Sequence, residues 1–523
     1  MKKKINGITK VIFTIVFISN NCQERGFIES ITSVAKTTLL PLRSQFTSSP
    51  HQRQPAVVEI GQISDDEARA VRERKQANHR ALSHITNLDN LPIDKTLNIA
   101  LCASGGGYRS MIATLALLQG LQENHLLDAI QYIATLSGSC WGVGYWISSN
   151  RSLDNFILHV QRSIDTNSKS LPTIKDPHEI INTSKNFVRK FVFDQPLSSV
   201  DLWGALIGNN LIGKQTLKLS EQQPQVNSGF LPYPIYTAIE ALAPLTYSWY
   251  EFSPHDVRNL ANNTYVKTWA FGRKYENKDN NFWSTSEPTL RGYAFPAELP
   301  LNSFMGLFGS AFTANIKEIV KDMESSGAGL TPLQTMILNL VGSEQQKKLP
   351  APAQSAYHKV CEIRPLSAEM FTFTPRTKNQ LMTLADAGID FNLPIPPLLQ
   401  RRRDIDLIII LDASNPLINA PALRASEHYS NTKSEREIKK LPPIDYNAID
   451  KRPISIFTYE NRPTIIYIPF RLVNECGNSY CSTFNFGYKK DEFYSIVNWI
   501  QSSVPFGQIR DIIANAQYQK YTT

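Results

Sequence analysis

The stretch that decides the fold runs from Leu97 to Trp146: LNIALCASGGGYRSMIATLALLQGLQENHLLDAIQYIATLSGSCWGVGYW. It reads as two strand-turn-helix units in succession. The apolar run Leu97–Ala103 breaks at Gly105-Gly106-Gly107 and resumes as a helical pattern from Arg109. The run Ile130–Leu136 breaks at Ser137-Gly138-Ser139 and resumes from Trp141. Two parallel strands joined by a helix form a βαβ unit, and ligands in such sheets sit at the carboxyl ends of the strands. Both breaks are therefore expected at one edge of one sheet. One break offers backbone N–H groups, the other a serine at a sharp turn.

Outward from this unit, other segments extend the same pattern. Ser64-Asp65-Asp66-Glu67 reads as a capping box that opens a charged helix reaching about Leu82. Beyond Trp146 a helical stretch continues to about Lys190, and Phe193–Leu217 is apolar but aperiodic, like a packed loop or cap. Strands are expected at Trp249–Pro254, Thr264–Phe271, Leu381–Ala385, Asp406–Leu411, Thr464–Phe470 and Ser482–Phe486. DLIIIL, bounded by acids, has the character of a buried parallel strand. Helices are expected in Pro300–Phe312, Ser325–Gly342, Ser426–Lys440 and Asp491–Ala514. The fold class is α/β: a three-layer sandwich around a mainly parallel central sheet, with an inserted cap or lid over roughly residues 193–350. Residues 63–523 make up this domain. The polar residues 23–62 read as a poorly ordered leader.

Composition narrows the partners. Lys and Arg (54) exceed Asp and Glu (46), a modest basic balance that suits an anionic membrane surface. No long basic block with interleaved aromatics argues for nucleic acid. Arg401-Arg402-Arg403 is the densest basic run and reads equally as a solvated loop or a headgroup contact. At the start, three lysines precede the short apolar run Val11–Ser19, which reads as an export signal over residues 1–22. The protein is accordingly expected to be exported and peripheral to membranes, with a cytoplasmic location as the alternative. Cys476 and Cys481 would form a local disulfide only after export, whereas Cys102 and Cys140 read as small buried residues. No cysteine or histidine spacing asks for a metal, and no motif asks for a cofactor.

The two turns carry the chemistry. Cleaving an ester requires a nucleophile, a proton acceptor and donors for the oxyanion. Ser137, at a strand-to-helix turn, is the candidate nucleophile. The usual glycine two residues before it is here Thr135, a β-branched residue expected to crowd the turn. The triple glycine lets backbone approach a ligand closely. It lacks the Gly-Lys-Ser/Thr of a phosphate loop and the full spacing of a dinucleotide fingerprint. Arg109 can hold a headgroup phosphate near the serine. For the base, Asp386 ends a strand before Gly388, and His428 lies further downstream in a charged helix. The residues alone leave these two as competitors.

SGGGYRSM (Ser104–Met111), LSGSCW (Leu136–Trp141) and DAGIDFNLPIPPLL (Asp386–Leu399) resemble the catalytic domain shared by cytosolic (group IV) phospholipase A2 and fungal phospholipase B. The similarity continues in order through EFSP, TWAFGRKYEN, LNSFMGLFGSAF, DLIIILDAS and TFNFGY, from about residue 95 onward. It implies a Ser137–Asp386 dyad without histidine, an oxyanion hole at Gly106 and Gly107, and Arg109 on the substrate phosphate. It also implies hydrolysis of phospholipid or lysophospholipid acyl esters at a membrane surface. Residues before about 95 leave no room for a calcium-binding membrane domain, so calcium-driven recruitment is not expected. Thr135 departs from the pattern and raises a rival, a lipid-binding protein with an impaired site. Acyl transfer to a lysolipid is the other.

Overall fold

The computed structural model describes, apart from short gaps, residues 51–165, 189–276, 297–313, 367–371 and 381–522. The expected helix at Ser325–Gly342, the export signal and most of the leader lie outside the described residues, as does much of the cap.

Hydrophobic strands gather into one mixed sheet. Its strands are β1 (Glu59–Ile60), β2 (Ile99–Ala103), β3 (Ile130–Thr135), β4 (Tyr233–Ala243), β5 (Thr246–Phe252), β6 (Asp256–Asn259), β7 (Thr264–Lys267), β8 (Ser367–Phe371), β9 (Leu381–Asp386), β10 (Leu407–Asp412), β11 (Ser455–Phe457) and β12 (Thr464–Pro469). The order across the sheet is β11-β12-β10-β2-β3-β4-β5-β6-β7-β1. The run from β12 to β4 is parallel, and both margins are antiparallel. Strand β9 pairs antiparallel with β4, and β8 pairs with β9.

Each parallel strand is apolar on both faces, as a sheet covered by layers on both sides requires. On β2, Ile99 and Leu101 join the core beneath helices α2 (Gly107–Glu123) and α3 (Gly138–Ser149), whereas Ala100 and Cys102 point into the opposite core. The second core is covered by Leu393–Leu399 and by Ala422 and Leu423 of a later helix. This is the three-layer α/β arrangement expected. The βαβ unit of the opening stretch is present, and the helices begin two or three residues earlier than the sequence pattern suggested.

Five segments differ from expectation; the helix expected at Ser426–Lys440 is Pro421–Thr432, with the proline in its first turn, and the chain beyond it turns. Residues Ala56–Ile60 of the supposed leader form short strands, and β1 pairs with β7. Phe193–Leu217 contains a helix, Ser199–Leu211, whose buried Val200, Trp203, Ile207 and Leu211 do follow a helical period. Its glycines hide that period because Gly204 and Gly208 abut helix Leu301–Phe308: a Cβ on Gly204 would sit 1.9 Å from the Asn302 carbonyl. Ser482–Phe486 is turn rather than strand. The single closing helix is two, Lys490–Ser503 and Phe506–Thr522, broken at Pro505.

The Ser64 cap holds, but its reciprocal half does not. Ser64 Oγ accepts from Glu67 N–H at 3.2 Å and opens helix α1 (Asp65–Thr86). The Glu67 carboxylate turns away to Arg403, at 2.9 and 3.1 Å. Arg403 also binds Glu251 at 2.7 and 2.9 Å, and Arg402 meets Glu251 at 2.9 Å. Burial opposes the charge on Glu251, but Arg403 and Arg402 overcome it and hold that carboxyl below its usual range. Of the basic run, then, only Arg401 is solvated, and Arg403 is an internal tie between α1 and β5.

Candidate active site

Three adjacent strand ends and one inserted strand make the site. In the parallel sheet, β10, β2 and β3 lie side by side and finish at one edge. After β2 comes the glycine loop, after β3 the serine turn, and after β10 the segment Ala413-Ser414.

The serine turn is strained by design. Ser137 has φ 54° and ψ −118°, a region that non-glycine residues enter only when their surroundings compel it. Ser139 supplies part of that compulsion. Its hydroxyl accepts from Leu136 N–H at 2.8 Å and reaches the Ala103 carbonyl at 2.9 Å, stapling the turn to β2. Gly138 is the position where no side chain fits: a Cβ would lie 1.9 Å from the Gly107 carbonyl. Thr135 is accommodated beside the turn: its Oγ1 lies 3.2 Å from the Ile235 carbonyl across the sheet and 3.3 Å from Cys140 Sγ in the first turn of α3.

Register explains how Asp386 reaches Ser137. On one flank of β4, Thr135 is paired with Tyr236. Two residues further along the same flank, Ala238 is paired with Asp386. Strand β9 thus occupies the space beyond the end of β3, where the serine turn stands. Ser137 and Asp386 line the same cavity, and the serine hydroxyl is close enough to favour the charged form of the carboxylate. Asp386 N–H donates to Ser310 Oγ at 2.9 Å, and its Oδ1 accepts from Gly388 N–H at 2.9 Å. Burial pushes the Asp386 carboxyl up to about 7, although Gly388, Ser137 and Ala311 favour its charged form.

The glycine loop lies against both groups. Gly106 has φ +134° and caps helix α2, whose first-turn N–H groups have no partners within the helix. Asn392 holds the loop from the other side: its Nδ2 donates to Gly105 O at 3.1 Å and to Ser414 Oγ at 2.8 Å. A cavity of about 370 Å³ is lined by Gly106, Arg109, Ser137 and Asp386 together with Asn392, Phe391 and Phe484. Gly107 stands just behind this lining, as the first residue of α2.

Arg109 borders the cavity but is buried and largely engaged by protein. Nε and Nη2 donate to the Ala413 carbonyl at 3.0 and 2.8 Å, and Nη1 donates to Cys481 O and to Thr483 Oγ1. Burial lowers its pKa to about 10, with Tyr488 and Asp412 opposing the shift. His428 is exposed on helix Pro421–Thr432 and is not part of the cavity lining. The sequence reading did not single out Asn392, Ser139 or Ser310. Their local signal was their place in the motifs DAGIDFNLP, LSGSCW and LNSFMGLFGSAF. Cys476 and Cys481 form a disulfide, while Cys102 and Cys140 are free and buried.

A serine in a strained turn, a buried carboxylate and a glycine loop at a helix start thus meet on one cavity, an arrangement able to support attack on an ester. Residues 99–445 match the family model described as the lysophospholipase catalytic domain, and the chain belongs to that family. It is 32% identical to mouse cytosolic phospholipase A2 gamma over 265 residues, covering 49% of this chain and 40% of that one. It is 28% identical to human cytosolic phospholipase A2 zeta over 426 residues, covering 70% and 48%. The chain thus spans about half the length of the curated relatives it matches, or less. Human GIVD cytosolic phospholipase A2 shares the fold, with a TM-score of 0.68 at 19% identity, over 90% of this chain and 69% of that one. The same protein in complex with methyl gamma-linolenyl fluorophosphonate aligns with a TM-score of 0.63 at 20% identity, over 90% and 66%.

Proposed function

We propose that this chain hydrolyses acyl esters of phospholipids or lysophospholipids through a Ser137–Asp386 dyad. The observation that carries the reading is the placement, on one cavity, of a serine held at φ 54° and a buried aspartate whose carboxyl is pushed up to about 7. An aspartate of ordinary pKa is a poor acceptor for a serine proton, and burial corrects that mismatch. Ser137 Oγ attacks the ester carbonyl carbon while its proton passes to Asp386. The N–H groups of Gly106 and Gly107 stabilise the oxyanion. Collapse expels the alcohol, which takes the proton back from Asp386. Water, deprotonated by the same carboxylate, then releases the fatty acid from Ser137.

Arg109 serves this site first as a brace, joining α2 to the segments after β10 and at Cys481–Thr483. Its remaining Nη2 N–H beside Gly106 is the group left for a substrate phosphate. The contacts of Thr135 with Ile235 and Cys140 favour a formed serine turn over an impaired one. Residues 63–523 form the catalytic domain in this reading, peripheral to a membrane surface. The relatives' names favour the cytoplasmic alternative, while the Cys476–Cys481 bridge favours export.

The test is labelling with a fluorophosphonate probe alongside fatty-acid release from vesicles. Ser137→Ala should abolish both, and His428→Ala should change neither. Labelling that persists in Ser137→Ala, with undiminished hydrolysis, removes Ser137 from the mechanism.

A further inference from the structure

One wall of the ester-cleaving cavity is tied by a disulfide. Cys476 ends the short helix Leu472–Cys476 that follows β12, and it is bonded to Cys481, 5 positions further on, across a Cα–Cα distance of 5.7 Å. The chain just after Cys481 reaches the site: Thr483 and Phe484 line the cavity that holds Ser137 and Asp386. Arg109, on the same lining, spans to this segment. Its Nη1 donates to the Cys481 carbonyl and, at 3.2 Å, to Thr483 Oγ1, while Nε and Nη2 stay on Ala413 O. Downstream, the wall is anchored by buried Phe486, edge-on to Tyr108 of α2 at 5.6 Å and to Trp203 at 5.2 Å. Upstream, the covalent anchor is the bridge, beside a hydrogen bond from Asn485 Nδ2 to Tyr480 O at 3.1 Å.

The two sulfurs differ in access. Cys481 is fully buried, whereas Cys476 is only partly so. A thiol left at Cys481 is a small apolar group that can stay in place, so opening the bridge does not demand unfolding. The bridge also closes only a short loop, and it adds less to global stability than a long-range bridge would. What opening releases is the upstream end of the wall, with the carbonyl and hydroxyl that hold Arg109 Nη1.

We propose that the Cys476–Cys481 bridge positions Arg109 and the cavity wall, so that its reduction by a dithiol lowers ester hydrolysis and its re-formation restores it. A thiolate of the dithiol attacks Cys476 Sγ, the bond to Cys481 Sγ breaks, and Cys481 takes up a proton. The second thiol of the reductant then displaces Cys476, which is protonated in turn, and the reductant leaves as a cyclic disulfide. Two electrons and two protons pass to the protein. Ser137 and Asp386 are braced by Ser139, Gly138 and Ser310 rather than by this segment, so the loss falls on substrate binding more than on the nucleophile. This regulation rests on the hydrolase reading of Ser137. It makes the site complete in an oxidising compartment and loosened in a reducing one.

The experiment equilibrates the full chain across mixtures of reduced and oxidised dithiothreitol. Alkylation and mass spectrometry give the fraction of Cys476 and Cys481 that is open. Fatty-acid release from vesicles, fluorophosphonate labelling of Ser137 and thermal melts are followed beside it. As the bridge opens, kcat/KM should fall about tenfold, carried mainly by KM, while labelling falls by less than about threefold. Oxidation should restore the activity, and Cys476→Ser should show the low kcat/KM in every mixture. Activity independent of the fraction open, or a response to dithiothreitol that persists in Cys476→Ser, overturns the proposal. So does an equal loss of hydrolysis, labelling and thermal stability, which marks a bridge that only holds the fold. Oxidised protein that neither labels nor hydrolyses overturns the hydrolase reading itself, and the switch with it.

Discussion

Replacing Asp386 by Asn separates the two consequences of burying a carboxylate, and the separation depends on pH. The carboxyl rises from an ordinary 3.8 to about 7 because burial disfavours its charged form. That rise corresponds to about 4 kcal/mol, at roughly 1.4 kcal/mol per decade. The folded protein therefore binds one more proton than the unfolded chain between those two values. Stability falls as pH rises through that window, and the full cost is present above about pH 7. Asparagine keeps an acceptor for the Gly388 N–H and carries no charge. Asp386→Asn should thus be the more stable protein at pH 8, by up to about 4 kcal/mol, and by only about 1–2 kcal/mol at pH 5, the difference vanishing below the ordinary carboxylate range. It should also be inactive, since the amide accepts no proton from Ser137.

The wild-type enzyme should show the complementary behaviour. Its kcat/KM reports the free-enzyme base, so activity should climb about tenfold per pH step below 7 and level off above it. Thermal melts of both proteins at pH 5 and pH 8, beside a pH profile of fatty-acid release, make the measurement. A stability difference that is the same at both pH values would refute the buried-charge account. A profile flat from pH 5.5 to 8.5 would remove Asp386 as the titrating base.

Arg109→Lys should lose stability as well as activity, because a lysine cannot span Ala413, Cys481 and Thr483 together; a loss of about 2–4 kcal/mol in denaturant melts is expected, against none for a residue that only meets substrate. Thr135→Gly, which restores the more usual residue, should lower stability by about 1–2 kcal/mol without raising kcat, since it removes the threonine hydroxyl from Ile235 O and from Cys140 Sγ at the start of α3. Arg403→Gln should cost about 3–5 kcal/mol by leaving Glu67 as an uncompensated buried charge and Glu251 with only Arg402 and Arg258, with kcat of the surviving folded protein little changed.

The glycine loop and the serine turn were legible in the sequence because each is local: small residues at the end of an apolar run, followed by a helical period. The parallel order of β2 and β3 followed from the length of the connection between them. What brings Asp386 to Ser137 was not legible, because it is a pairing between distant strands. Nothing in Leu381–Asp386 states that it will lie antiparallel to β4, or that β4 is long enough to bind β3 with one part of its flank and β9 with the next. Competition between Asp386 and His428 could be settled only by resemblance or by that register. The Ser199–Leu211 helix was obscured for a related reason. Its glycines record contact with Leu301–Phe308, a tertiary demand that breaks the local pattern. Arg403 shows the same limit from the charged side: three consecutive arginines look alike in sequence, and only folding assigns one to Glu67 and Glu251 while leaving another in solvent.

The site's two costly features also explain its bracing. A serine in a disfavoured backbone region and a buried carboxylate each cost the folded state free energy, so neither persists unless surrounding contacts leave no cheaper arrangement. Those contacts are specific. Ser139 ties the serine turn to β2, Gly138 packs on the Gly107 carbonyl, Asn392 clamps Gly105 to Ser414, and Arg109 joins α2 to Ala413. Every one of these contacts joins segments that follow different strands. None lies within a single element. The consequence is that the site is rigid only as a set. Loosening one brace lets the serine turn relax towards ordinary backbone angles, and the hydroxyl then leaves Asp386. Variants of Asn392 or Ser139 should therefore lower kcat more than they raise KM, although neither residue takes part in the bond-making steps.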